Sequence, residues 1–128
     1  MLIPEPASST PPALPGPIIL HQLFRLADHP DSITWEPFRE GVRIHWLYQT
    51  DETGPAAALI RFQPGAKVAL HEHTGFEHIL VLSGSQRDET GTITTGSLLI
   101  NKPGTRHSIT SDDGCIVLAI YEKRVRFV

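Results

Sequence analysis

The chain has 128 residues, 40% hydrophobic and 20% charged, with a formal charge of −3. This describes one globular domain with enough chain for a core. It shows no basic run to serve a nucleic-acid face, no apolar run near the roughly 20 residues of a membrane-spanning helix, and no basic-then-apolar leader at the N-terminus.

Residues 1–17 hold six prolines, at 4, 6, 11, 12, 15 and 17. That density forbids a helix or central strand, and the segment is expected to be an extended or disordered arm. Residues 18–128 then form the single domain. Ile18 to Ala27 fits a short strand or a helical turn equally well, and Trp35 to Gly41 reads as a loop around Pro37. Short apolar segments follow: Val42 to Tyr48, Ala56 to Phe62, Lys67 to His73, His78 to Ser83, Ser97 to Ile100, Arg106 to Thr110 and Cys115 to Tyr121. Turn sequences separate them, including Gln63-Pro64-Gly65, Asp88 to Gly91 and Lys102-Pro103-Gly104. Many short strands with turns between them predict an all-β sandwich or barrel. His78 to Ser83 is apolar on both faces, so its outer face needs a cover: another sheet, the N-terminal arm or a second subunit. That strand and the arm together predict a homodimer.

The run from Gly65 to Gly84 carries the chemistry. Alternation along a strand turns His71 and His73 to the same side. The short link Thr74 to Phe76 lets Glu77 return to the same space, and His107 is available as a fourth ligand. Two or three imidazoles and a carboxylate among apolar strands suit a divalent metal: zinc, iron, manganese, nickel or copper. Four protein ligands saturate a tetrahedral zinc, whereas a six-coordinate ion keeps two open positions. The sequence leaves both open.

Other polar residues have plainer readings. His78 falls on the face opposite Glu77, as packing or interface. His45 is a surface or core residue. Asp88, Glu89, Asp112 and Asp113 are solvated turn residues. The lone Cys115 in an apolar strand is a small buried hydrophobe and excludes an internal disulfide, which points to a reducing, cytoplasmic compartment. Arg61, Lys102 and Arg106 are the candidate anion-binding groups; Arg61 either faces the barrel mouth or pairs on the surface.

Gly65, His71, His73, Glu77 and Gly84 resemble, at every position, the first motif of the cupin superfamily. Gly96, Gly104 and His107 resemble the second, where Lys102 stands for a proline and Ser111 for an asparagine. Trp35 to Tyr121 is similar to the ChrR type, the metal-binding cupin domain of an anti-sigma factor. The similar elements are W-x-P from Trp35, Gly41-Val42, R-F-x-P-G-A from Arg61, D-E-x-G from Asp88, the stretch Gly96 to His107, and G-C-I-V-L from Gly114. Departures are His78, where that type carries a second acid, and residues 1–34, too short and proline-rich for its sigma-binding domain. The resemblance implies a double-stranded β-helix (jelly-roll) cupin barrel with a metal on His71, His73, Glu77 and His107. It implies a stand-alone metal-binding cupin that binds or senses an unknown small molecule. The alternatives are a metal-dependent oxygenase or isomerase acting on an oxygen-chelating substrate, and a barrel whose metal only stabilises it.

Overall fold

The computed structural model describes residues 16–128. The proline-rich arm assigned to residues 1–17 lies outside the described residues, apart from its last two positions. After two 3-10 turns, Leu23–Asp28 and Pro30–Ser32, the chain is built of strands: β1 (Glu36–Arg39), β2 (Val42–Gln49), β3 (Ala56–Phe62), β4 (Ala66–Glu72), β5 (Glu77–Asp88), β6 (Gly91–Thr94), β7 (Leu98–Asn101), β8 (Arg106–Ser111), β9 (Cys115–Tyr121) and β10 (Arg126–Phe127). All pairings are antiparallel. The strands run β1-β2-β3-β9-β5-β8-β4-β10, with β6 and β7 also on β5. This is the all-β jelly-roll barrel that the strand spacing and the resemblance imply. Ala56–Phe62 and Cys115–Tyr121 have the bounds their apolar runs predict.

Strand β5 joins the two halves of the roll. Its first half pairs with β7 and β9, its second with β6 and β8. Its register on β9 shifts between Val81 and Ser83, and Gly84 follows at φ 76°. A Cβ on Gly84 would press into the backbone of Gly114 and Cys115. The close crossing and the left-handed backbone both require glycine here.

The barrel interior is filled from both halves. Val42, Ile44, Ala58, Ile60, Phe62, Ile79, Val81, Val117 and Ala119 form one buried cluster. Leu59, Leu82 and Ile116 point outward and are buried beneath Trp35, with Leu23, Leu26 and Ile33 packed beside them. Residues 23–35 thus cover the outer face of β5, which explains its apolar character on both sides. The Trp35 indole is anchored by donating from Nε1 to the Pro30 carbonyl at 2.6 Å.

Beyond β6 and β10, which have no counterpart among the expected strands, three elements differ from the sequence reading. The expected loop around Pro37 is strand β1, and proline fits because β1 lies at the sheet edge and pairs only with β2. The expected turn at Asp88 follows a 12-residue β5 rather than a six-residue strand. In β4 the register against β8 shifts between Val68 and His71, so strict alternation fails. Lys67 is exposed while Ala66, His71 and His73 are buried. The bulge re-aims the two histidines inward.

Gly84→Ala is expected to cost about 2–4 kcal/mol, from left-handed strain plus the backbone collision. Chemical denaturation measures it, and a loss under about 1 kcal/mol would show that the crossing relaxes without glycine.

Candidate metal centre

His71 comes from the bulged β4, His73 is the residue just past its end, and His107 comes from β8, which pairs His107 directly with His71. All three rings are buried. One nitrogen from each lies within 4.8 Å of the other two, and the ring centroids are 4.6–5.2 Å apart. Two nitrogens bound at about 2.1 Å to one ion sit about 3–3.5 Å apart, so small side-chain movements complete a site.

The outer nitrogen of every ring is already engaged. His71 Nδ1 lies 2.9 Å from the Ala69 carbonyl in the bulge. His73 Nδ1 lies 3.1 Å from the Thr105 carbonyl and 2.9 Å from its hydroxyl. His107 Nδ1 lies 2.8 Å from Asp88 Oδ2. A carbonyl or carboxylate oxygen only accepts, so each Nδ1 donates its proton. In the neutral ring Nε2 is then a bare lone pair. Nε2 of His73 and of His107 are buried without any hydrogen-bond partner. Burial lowers the His71 pKa; the Ala69 carbonyl works the other way and the neighbouring His107 adds to the lowering. That ring stays neutral and ligand-ready.

Glu77, the first residue of β5, is buried with Oε1 3.3 Å from His73 Nε2. The same oxygen accepts from Asn101 Nδ2 at 3.0 Å. A carboxylate facing an imidazole lone pair at that distance calls for a cation beside them. The three histidines form the cluster that meets at 4.8 Å; Glu77 flanks it at His73.

Two partners of the site were not legible from the sequence. Asn101 aligns with Glu77 across the β5–β7 ladder. Asp88, expected as a solvated turn residue, instead faces inward to His107, and Glu89 accepts from the Ser108 amide and hydroxyl. The hairpin geometry turns the end of β5 back onto β8. Partial burial raises the Asp88 pKa, but bonds from the Thr90 hydroxyl and His107 outweigh it and hold the carboxyl at about 2. Ser111, standing where the motif has asparagine, donates to the Ser85 carbonyl at 2.6 Å and keeps that turn bonded.

The remaining candidates lie elsewhere. Arg61 is on the outer face, 3.8 Å from Asp31 and 6.0 Å from the Trp35 ring. Arg106 pairs with Glu72 at 3.0 Å on the surface. His45 Nδ1 bonds the Thr34 carbonyl at 2.8 Å. Cys115 is buried, which raises its thiol pKa and leaves it unreactive. An apolar cavity of about 60 Å³ inside the barrel reaches His71 and Glu77.

A jelly-roll barrel with inward histidines at the HxH and downstream His positions defines a cupin with a metal-competent centre. The ChrR cupin-like domain family matches residues 25–124. The anti-sigma-E factor ChrR of Cereibacter sphaeroides is 33% identical over 127 residues, 97% of this chain and 56% of that protein. The chain belongs to the ChrR cupin-like family, and it spans about half the length of that curated relative.

Among solved structures, the Rhodobacter sphaeroides SigE–ChrR complex matches with a TM-score of 0.63 and 31% identity, over 76% of this chain and 55% of that one. An acetylacetone dioxygenase from Acinetobacter johnsonii matches at 0.70 and 15% identity, over 93% and 81%. The polyketide cyclase RemF from Streptomyces resistomycificus matches at 0.62 and 20%, over 78% and 82%. These last two share the fold.

Asp88→Ala removes the acceptor at His107 Nδ1. Metal affinity is expected to fall about 10–100-fold, read by competition with a chromophoric chelator. Unchanged affinity would show that His107 is oriented without Asp88.

Proposed function

We propose that His71, His73, Glu77 and His107 hold one divalent ion, of zinc, iron, manganese or nickel, and that this centre binds or senses a small molecule. The observation that carries the reading is the pair of buried, partnerless Nε2 atoms on His73 and His107. Unpaired buried acceptors cost about 1–3 kcal/mol each, and a cation removes that cost. Glu77, fixed by Asn101, supports the role of fourth ligand. The ion would supply Lewis acidity toward an oxygen ligand. The nearby Tyr121 phenol is pushed far up by burial, and further by the Glu77 carboxylate, so it stays a neutral donor. That leaves the oxygenase or isomerase reading without a free base among the described cavity residues, and favours binding or sensing.

A homodimer through the outer sheet face is part of the reading. His78 sits between Ile100 on β7 and Ile120 on β9, which are 48% and 40% exposed. The single cysteine, buried, supports a cytoplasmic setting. Among the described residues no helix is long and apolar enough to cross a membrane. A sigma-factor partner is a property of the whole ChrR protein and is not assigned to this chain.

Elemental analysis of purified protein is expected to find about one divalent ion per chain, and almost none in the His71→Ala/His73→Ala variant. Equal content in the two would refute the metal reading. Light scattering is expected to give a dimer that Ile120→Asp dissociates; a monomer throughout the micromolar range would remove the interface.

A further inference from the structure

We infer that Arg39, stacked between Phe38 and Phe127, draws anionic ligands to the metal centre. This rests on the metal reading above. The Arg39 guanidinium carbon stands 4.7 Å from the Phe38 ring centroid and 4.6 Å from that of Phe127. Such a sandwich holds a flexible cation in one place. Phe127 in turn lies 5.7 Å from the His71 ring. The C-terminal strand that carries it is tied down: Phe127 aligns with His71 on β4, Arg126 pairs with Glu72 at 2.6 Å, and the Val128 amide bonds the Leu70 carbonyl at 3.3 Å.

Two spaces meet at this clamp. Inside is the apolar cavity of about 60 Å³ against His71 and Glu77. Outside is an open cleft of about 280 Å³ lined by Trp46, Glu52 and Arg124. Phe38, Arg39, Tyr121 and Val125 line both. The wall between them is thus one way in to the centre; a second space, of about 110 Å³, reaches His107 from the side of β6.

The charge selection has two sources. A divalent ion on three neutral imidazoles and one carboxylate retains one net positive charge. Arg39 adds a second at the mouth, and it makes no ion pair with any described carboxylate. Two positive charges at one mouth favour an anion, the exposed Arg39 less than the ion because water screens it.

The test uses the cobalt(II)-loaded full chain, with visible absorption reporting ligands at the ion. The three-atom anion azide is expected to bind the native protein. Arg39→Gln is expected to weaken azide at least about fivefold at unchanged cobalt content. Cobalt-loaded native protein that takes up no azide overturns the inference. Azide affinity unchanged in Arg39→Gln overturns the part given to Arg39. Failure to take up cobalt at all sinks the metal reading itself, a distinct outcome.

Discussion

The centre depends on three protons held on the far side of three rings. Each Nδ1–H is committed to an oxygen: Ala69 in the β4 bulge, Thr105 in the turn before β8, and Asp88 at the end of β5. That commitment leaves the Nε2 lone pairs facing a common space. Without it each imidazole would choose its tautomer freely, and a ring carrying its proton on Nε2 would present a donor where a ligand is needed. The three acceptors come from three different parts of the chain. The centre is therefore a property of the assembled roll, not of the HxH segment.

One strand does most of this assembly. Glu77 opens β5 and Asp88 closes it, and both reach the same cluster, from opposite sides. A straight strand of that length would carry its ends about 35 Å apart. The register shift near Ser83 and the glycine at position 84 fold β5 from one sheet into the other, so its ends approach one centre. The glycine that closes the first motif is thus a condition of the metal site, although it stands well away from it in sequence.

The sequence was most legible where side-chain chemistry and local period agree. β9 has an unbroken apolar run and β3 one broken only by Arg61, both bounded by turns, and their limits follow directly. The gathering of the three histidines follows from the spacing of His71, His73 and His107, since few other purposes bring such residues together among apolar strands. What stayed hidden was set by pairing between distant segments. Asp88 and Asn101 look like ordinary turn and strand-end residues, and become site residues only because the β5–β8 and β5–β7 contacts place them there. Pro37 disguised β1, because an edge position cannot be told from a loop before the sheet is known. The β4 bulge was hidden for a similar reason: period-2 reasoning puts His71 and His73 on one side, but also Lys67, and only the observed shift separates them.

Burial without partners has a further consequence for how function can be read here. Two acceptor nitrogens and a carboxylate enclosed in an apolar barrel oppose folding until a cation joins them. Metal binding therefore stabilises the fold whatever else the ion does. Thermal stabilisation by an ion cannot distinguish a structural centre from one that meets ligands, because both predict it. Exchange at the ion's free positions does distinguish them. The small cavity against His71 and Glu77 is where such exchange has room to occur.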